Sequence, residues 1–550
     1  MSDHSNNDHS RPKKGARHWP LWLLPLAGLL SLIWFLIRVV PRPSRAAYPC
    51  MQVAAPMASG FVVWLTGVVT SLFALRKGKS FLRQSRTALA WACLTIALAT
   101  GVVTLMTMPP RLALADAVTP NQPIGVAKGI HPGRVVWVHD PDATDWLGPG
   151  DGHLWESDHT DQVVVDRMLG LALRGLTAEN SEAEAWDALF HHFNASHGNG
   201  DVGYLAGEKI AIKVNLVGCL EGSWGGVDPA TYDLVRKIDY MNTSPQMMLA
   251  LLRQLVNVAG VDPAHISIGD PVTLFPNQYY QPLYDEFPEV SYLDALGDFG
   301  RTVVTPSAVD FHWSVHPTGV AQDKVLTSFA EAEYFINLAN LKSHGGAGIT
   351  LCGKNYYGWL RRPSEAGLYE MHASLPNNVP AEASYRCIVD LIGHAHSGGK
   401  ALVYLVDGLY AGVHPDDDVP ITWDVEPFNG DWTSSVFASQ DPVAIDSVGF
   451  DFLQQEGDPR VYPQMAGADD YLTEAALADD PPSGTFYDPD NAGDLTRLSS
   501  LGVHEHWNNP QEKLYSRNLD PVNGQGIELV IADPRAVFSD GFETGDTSRW

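Results

Sequence analysis

A lysine, a histidine and several glycines share one short stretch of this sequence, Leu341–Gly358, which reads LKSHGGAGITLCGKNYYG. A lysine binds negative charge, and a histidine can exchange a proton near neutral pH. Glycines let the backbone approach a ligand, and a helix that begins near Ile349 would add its positive N-terminus to the turn. The stretch therefore predicts an anion site with Lys342 and His344 at its edge. A tight turn packed against a sheet is the alternative.

Lys354 and Asn355 extend the same pattern. On a helix that begins near Ile349 they lie in the second turn, where one faces the ligand and the other turns away. The charge of Lys354 favours it as the ligand-facing residue. The amide of Asn355 can then hold the glycine turn in place.

Polar residues also follow the other apolar strands of the sequence. In an open α/β sheet, ligands bind at the carboxyl ends of the strands. Each residue alone is explained as a turn, a cap or a solvated group, but together they predict one ligand-binding layer. The residues concerned are Lys213, Asn215, Asp270, Asn340 and Asp407.

Asp446 completes the predicted catalytic set with His344 and Lys342. It lies on the apolar face of the helix DPVAIDSVGFDFLQQEG, where an unpaired carboxylate is costly, so it needs a partner. In a functional role it lies beside Asp407 and pairs with Lys342 or Lys213. In a structural role it joins a buried ion pair or a set of backbone N–H donors.

Strands and helices alternate along the chain from about residue 125. GRVVWVHD, KIAIKVNL, HISIGD, YFINLANLK and ALVYLVDGL are apolar runs typical of buried strands. DQVVVDRMLGLALRGL, SEAEAWDALFHHF and TSPQMMLALLRQLVNVAG have helical spacing. The alternation predicts an α/β fold, with a largely parallel or mixed sheet flanked by helices, at residues 125–457. Residues 458–550 are predicted to be a loop-rich extension with GIELVIAD as a last strand.

Residues 1–110 are predicted to form a membrane domain with three transmembrane helices. The uncharged apolar stretches Trp19–Ile37, Ala54–Leu75 and Ala88–Met108 each reach the roughly 20 residues that span a bilayer. Basic flanking residues place the N-terminus in the cytoplasm and the body outside. We therefore expect the lipid bilayer as a partner and the bacterial inner membrane as the location, with the body on the periplasmic or extracellular side. Release of the body by cleavage after the third stretch is the alternative.

The net charge of −28 is divided unevenly along the chain. Residues 1–110 hold 12 Lys and Arg against 2 Asp and Glu, whereas the remainder holds 24 against 62. Nucleic-acid binding relies on clustered Lys and Arg, so the acidic body argues against a nucleic-acid partner. A small-molecule or envelope ligand is the expected partner.

Five segments occur in the order seen in one protein family. IKVNL, NTSP, LANLKSHGGAGITLCGKNYYG, LVDGL and ASQDPVAIDSVG resemble the domain-of-unknown-function 362 family over about residues 205–455. The resemblance implies an α/β fold and a set of site positions, but no particular reaction. Many relatives carry a ferredoxin-type iron–sulfur module. This sequence lacks the cysteines of that module, so no iron–sulfur cluster is expected.

A divalent metal is an open prediction. His394 and His396 form an H-x-H pattern, which binds zinc where other ligands converge, and His414 precedes three aspartates. A solvated loop and a surface turn explain the same residues. The metal ligands, if any, are therefore unassigned.

Two classes of function remain open. The body is either an enzyme that acts on an anionic or carbonyl-bearing envelope substrate, or a non-catalytic ligand-binding or sensory module. In the enzyme, the lysines bind negative charge, His344 acts as acid or base, and the carboxylates hold a metal or orient the histidine. The variant His344→Asn distinguishes the two classes. A binding module should keep its affinity for the ligand in this variant, whereas an enzyme should lose turnover.

Overall fold

The computed structural model describes residues 120–534, with gaps at 221–224, 316–322, 362–370, 380–382, 416, 457–464, 466 and 492–495. Arg76, Lys77, Thr87, Trp91 and Thr95 are the described residues before this range. Residues Ala117–Trp550 form one compact unit, which contains the whole α/β domain.

The predicted membrane part of the fold class is corrected by the structure. Among the described residues, no helix combines the length and the apolar character that a membrane crossing requires. The three predicted stretches fall outside the described residues, apart from Trp91 and Thr95. Within the described residues, the fold class is a mixed α/β sheet flanked by helices.

A ten-stranded mixed sheet forms the centre of the α/β domain. The strands of the described residues are β1 (Ile124–Gly125), β2 (Arg134–His139), β3 (Ile210–Lys213), β4 (Ile266–Gly269), β5 (Ser291–Asp294), β6 (Thr302–Val303), β7 (Pro306–Phe311), β8 (Asp323–Leu326), β9 (Tyr334–His344), β10 (Gly348–Thr350), β11 (Leu360–Arg361), β12 (Ala401–His414), β13 (Ser435–Ser439), β14 (Val503–His504) and β15 (Glu528–Ala532). Two smaller sheets are separate: β1 pairs with β14, and the other has the order β11-β8-β7. The order in the ten-stranded sheet is β15-β2-β13-β12-β9-β3-β4-β5-β6, and β10 pairs with β9. The six strands from β12 to β6 in this order are parallel, whereas β13 is antiparallel to both its neighbours.

Helices cover both faces of this sheet. They are α1 (Gln162–Thr177), α2 (Glu182–Ser196), α3 (Pro245–Arg253), α4 (Asn277–Glu286), α5 (Thr327–Glu331), α6 (Cys352–Asn355), α7 (Cys387–Gly393), α8 (Pro442–Glu456), α9 (Ala468–Ala476) and α10 (Ser516–Leu519). Successive residues of a strand point to opposite faces. Accordingly, Val136 and Val138 join one apolar core with α1 to α4, while Val135 and Trp137 join another with α7 to α9.

A capping side chain marks the start of two of the helices that the sequence predicts. Ser244 accepts a hydrogen bond from the Met247 N–H at the start of α3. Asp441 accepts hydrogen bonds from the N–H groups of Val443 and Ala444 at the start of α8. These side chains satisfy N–H groups that the first turn of a helix leaves unpaired.

The extension after residue 457 contains more regular structure than the sequence predicted. GIELVIAD is confirmed as a strand, because β15 pairs in parallel with β2 at one edge of the sheet. α9, β14 and α10 were not predicted. These elements have only two to nine residues, too few for a hydrophobic period to emerge from a Pro- and Gly-rich sequence.

Candidate functional site

The glycine-rich stretch forms a β-hairpin, so the predicted helix that begins near Ile349 is wrong. β9 ends at His344, and β10 returns antiparallel to it with Gly348 opposite His344. Gly348 has a φ of +86°, a conformation that favours glycine. The N–H groups of Gly346 and Ala347 donate to His344 Nδ1 over 2.9 and 3.1 Å. The turn therefore holds the histidine side chain.

A carboxylate of the protein itself occupies the N-terminus of α6. Asp446 accepts hydrogen bonds of 2.8 Å from the N–H groups of Cys352 and Gly353, and one of 3.0 Å from the Tyr471 hydroxyl. Burial raises the pKa of Asp446 to about 7, although these donors oppose the shift. The predicted pairing of Asp446 with a lysine is wrong, and the structural alternative with backbone N–H donors describes its contacts.

Asp446→Asn should lower the unfolding temperature and leave ligand binding per folded molecule unchanged. The amide keeps the shape but offers one acceptor oxygen, so a buried N–H of α6 loses its partner at a cost of about 1–3 kcal/mol. Thermal unfolding measures the change in stability, and titration with inorganic phosphate, a probe for the anion site that the sequence predicts, measures ligand binding. Normal unfolding together with lost binding would instead give Asp446 a functional role.

Lys213 and Asp270 form a buried ion pair at the ends of two adjacent strands. Lys213 is the last residue of β3, and Asp270 follows β4 directly. Lys213 Nζ lies 3.1 Å from Asp270 Oδ1, and both side chains are almost completely buried. Asp270 Oδ2 accepts a hydrogen bond of 3.1 Å from the Leu216 N–H. Burial lowers the pKa of Lys213, and the charge of Asp270 opposes that shift.

Lys342 lies beside this pair but has a different set of partners. Its Nζ donates to Asn215 Oδ1 over 2.9 Å and to the Met241 carbonyl over 3.0 Å. The Tyr240 ring centroid lies 5.3 Å from the same atom. No carboxylate among the described residues lies within 4.0 Å of it. Burial lowers the pKa of Lys342 to about 7, and two neighbouring lysines add to the shift.

Asn355 connects α6 to the ends of β3 and β9. Its Nδ2 lies 2.8 Å from Asn337 Oδ1 and 3.2 Å from the Lys213 carbonyl, and its Oδ1 accepts from Asn215 Nδ2 over 3.2 Å. The prediction that Asn355 holds the glycine turn is therefore wrong. Asn337 was missed because it lies within the strand rather than at its end.

His344 and Lys354 approach the same layer. Burial lowers the pKa of His344 well below its usual value, and the charge of Lys354 is the next cause. The neutral ring accepts at Nδ1, so Nε2 carries the proton and can donate to an oxygen atom. Lys354 Nζ lies 4.4 Å from the Tyr357 ring centroid. The sequence predicts Lys342 and His344 at the edge of an anion site, and the structure buries both side chains.

Asp407 and Asn340 are held by the segment before α3. Asp407 accepts hydrogen bonds from the N–H groups of Ser244 (2.8 Å) and Leu409 (3.1 Å), and burial raises its pKa. Asn340 Oδ1 accepts from the Thr243 hydroxyl over 3.1 Å. These contacts match the turn-and-cap alternative for Asp407.

Five of these residues are grouped below under the name "lysine layer": Lys213, Asn215, Asp270, Lys342 and Lys354.

A cavity of about 300 Å³ adjoins the lysine layer. Trp313, Tyr357 and Gly358 are among the residues that line it. A Cβ atom on Gly358 would lie 2.8 Å from Asp270 Oδ1 and 3.1 Å from Lys213 Cε. The backbone of Gly358 therefore lies between the cavity and the Lys213–Asp270 ion pair, with no side chain in the way.

The histidines predicted as candidate metal ligands do not assemble a three-ligand group within the part of the chain that the structure describes. His394 Nε2 lies 3.1 Å from the Asp310 carbonyl and 3.3 Å from Asp490 Oδ1, and its ring lies 5.8 Å from that of His396. His414 instead contacts the Tyr240 hydroxyl through Nδ1. Tyr240 lies in a loop, and the sequence offered no signal for its place in the site.

Comparison with known proteins gives one family. Residues 227–451 match the family of the domain of unknown function DUF362. No curated protein sequence matches the chain. The matched range includes Asp270, Lys342, His344 and Lys354, and the segments that first showed the resemblance lie mostly within it. The resemblance seen in the sequence is therefore confirmed over residues 227–451.

Proposed function

We propose that the lysine layer binds a small anionic or carbonyl-bearing ligand. The observation that carries this proposal is Lys342, a fully buried lysine without a carboxylate within 4.0 Å among the described residues. A buried charge is costly unless it is paired. An anionic group bound at Lys342 would supply the carboxylate or phosphate partner that this lysine lacks within 4.0 Å among the described residues.

The hydrogen-bonding capacity of Lys342 leaves room for such a group. A lysine ammonium has three donors, and Asn215 and Met241 use two of them. His344 follows two residues later on β9, so both side chains project from the same face of the strand. The neutral His344 ring adds an Nε2 donor there. Together they can bind the oxygen atoms of a carboxylate or a phosphate.

The burial of the lysine layer limits the size of the ligand. The cavity of about 300 Å³ nearby is lined by none of the five residues of the layer, and Gly358 separates it from the ion pair. We therefore expect a ligand with one anionic group and few further atoms.

The proposal is tested first on the purified full chain. We expect saturable binding of inorganic phosphate by calorimetric titration, and an anionic small molecule in the supernatant after denaturation, identified by mass spectrometry. Absence of both would overturn the proposal.

The lowered pKa of Lys342 favours a second candidate, an enzyme that uses its amine. At a pKa of about 7, a large part of the amine is neutral and nucleophilic at neutral pH. Its Nζ would add to a carbonyl carbon, and loss of water would leave an imine. Incubation with pyruvate and borohydride should then reduce the imine and attach the probe at Lys342. Phosphate binding without this adduct would favour the non-catalytic binding module.

A further inference from the structure

A second cluster of ionisable side chains lies outside the lysine layer and outside the matched DUF362 residues. Asp469 is the second residue of α9, His504 ends β14, and His506 follows two residues later. Asp469 Oδ1 lies 2.9 Å from His506 Nε2 and 3.4 Å from His504 Nε2. One ligand atom of each residue lies within 4.8 Å of the other two. One carboxylate oxygen and two imidazole nitrogens therefore face a common point.

These separations suit a tetrahedral metal ion. Zinc bonds of about 2.0–2.1 Å to nitrogen and oxygen place two ligand atoms of a tetrahedron about 3.3 Å apart. The distances from Asp469 Oδ1 to the two histidines, 2.9 and 3.4 Å, lie on either side of that value. Histidine and carboxylate ligands are also the types that zinc binds in proteins.

Further contacts orient both rings towards Asp469. His506 Nδ1 lies 2.5 Å from Asp451 Oδ1, and His504 Nδ1 lies 2.8 Å from the Ser447 hydroxyl. Asp451 is itself held by the Tyr515 hydroxyl over 2.8 Å. Ligating histidines commonly bind a carboxylate or another polar group through their second nitrogen. Both Nε2 atoms are therefore directed to the common point.

His504 provides an independent observation in favour of a ligand. Its side chain is completely buried. Its Nε2 has no hydrogen-bond partner among the described residues, although Asp469 Oδ1 is 3.4 Å away. Buried polar atoms are rarely left unsatisfied. A metal ion between the three residues would satisfy this nitrogen.

We propose that Asp469, His504 and His506 form a binding site for a zinc ion. Asp469 Oδ1 and the Nε2 atoms of both histidines are the protein ligands, and Asp451 and Ser447 orient the histidines. The Asp469 side chain is 22 % exposed, so a water molecule would complete the tetrahedron as the fourth ligand. The ion connects α9 to the segment that follows β14. Because Asp451 of α8 contacts His506, the ion also connects the segment after residue 457 to α8.

The test uses the full chain, freed of metal by chelation, with zinc ion as the probe. We expect one zinc per chain by elemental analysis, a higher unfolding temperature with zinc, and two imidazole ligands in the X-ray absorption spectrum of the zinc-loaded protein. Asp469→Asn, which keeps the shape of the side chain, and His506→Gln should each weaken binding at least 100-fold.

A matched control is available at a second group of possible ligands, Glu156, Asp158 and His159. His159→Gln should leave zinc affinity and the zinc-dependent unfolding temperature unchanged. Wild-type protein that binds no zinc, or that shows no imidazole ligands when loaded, would overturn the proposal, even if the variants fail to fold. Unchanged affinity in folded Asp469→Asn and His506→Gln, or a loss confined to His159→Gln, would also overturn it.

Discussion

Lys342→Met should weaken phosphate binding by the full chain at least about 30-fold. Truncating one side of a buried, hydrogen-bonded charge pair costs about 2–5 kcal/mol, which corresponds to a loss of about 30-fold to about 4,000-fold. Methionine has a similar length and no charge, so it fills the space of the lysine stem. Calorimetric titration of wild type and variant measures the difference.

Lys237→Met is the matched control for this variant. Lys237 Nζ also lies against the Tyr240 ring, 5.0 Å from its centroid, but it forms an ion pair of 2.6 Å with Asp418. Its removal should leave phosphate affinity within about threefold of wild type. Equal losses in both variants would show that the effect is a general change of charge rather than a property of Lys342.

The same variant should also change how stability depends on pH. Burial lowers the pKa of Lys342 to about 7 in the folded protein, against 10.5 in the unfolded chain. Between these values the unfolded chain binds more protons, so the contribution of this group to stability rises with pH from about 7 to 10.5. Any advantage of Lys342→Met in unfolding temperature should therefore shrink across that window. Parallel profiles of wild type and variant would contradict the buried, depressed amine.

Asp270→Asn should destabilise the folded protein by about 3–5 kcal/mol, because it leaves Lys213 as a buried charge without its partner. Lys213 Nζ and Asp270 Oδ1 are 3.1 Å apart, and their side chains are only 1 % and 5 % exposed. Adding Lys213→Met to Asp270→Asn should recover much of that loss, because the stranded charge is then removed. Denaturant unfolding of both single variants and the double variant gives the coupling energy.

Asp418→Asn supplies the comparison for an ion pair whose carboxylate is exposed, although its lysine, Lys237, is only 12 % exposed. The Asp418 side chain is 74 % exposed, and such pairs contribute about 0–1 kcal/mol. A cost for Asp270→Asn that is no larger than this would contradict the ion pair's importance. So would a double variant less stable than Asp270→Asn alone.

The meeting of Lys213, Asn215, Asp270 and Lys342 could be predicted because it depends on one regular feature. Parallel strands bring their carboxyl ends to one edge of the sheet, so each polar strand end lies near the next. Burial of these side chains could not be predicted in the same way. It results from α6 and from the segment before α3, which cover the edge through tertiary contacts.

The partners of Asp446 show the opposite case. The apolar neighbours on its helix indicated that it is buried and needs a partner. The partner itself, the N-terminus of the four-residue α6, depends on where the hairpin delivers Cys352. A helix this short has no periodic pattern of its own in the sequence. The H-x-H pattern at His504 and His506 was a missed signal, of the same kind as the one noted at His394 and His396.

The position of β2 in the sheet has a consequence for the order of events during synthesis. Its neighbours come from far along the chain: Trp137 contacts Ser435, 298 residues later, and Arg134 contacts Glu528, 394 residues later. While a ribosome is still making residues 140–434, β2 has neither neighbour, and both rows of its N–H and C=O groups stay unpaired. Unpaired strand edges invite association between chains. Pairings between residues so far apart in sequence also slow folding. We therefore expect the nascent chain to need a chaperone that covers β2 until β15 has left the ribosome.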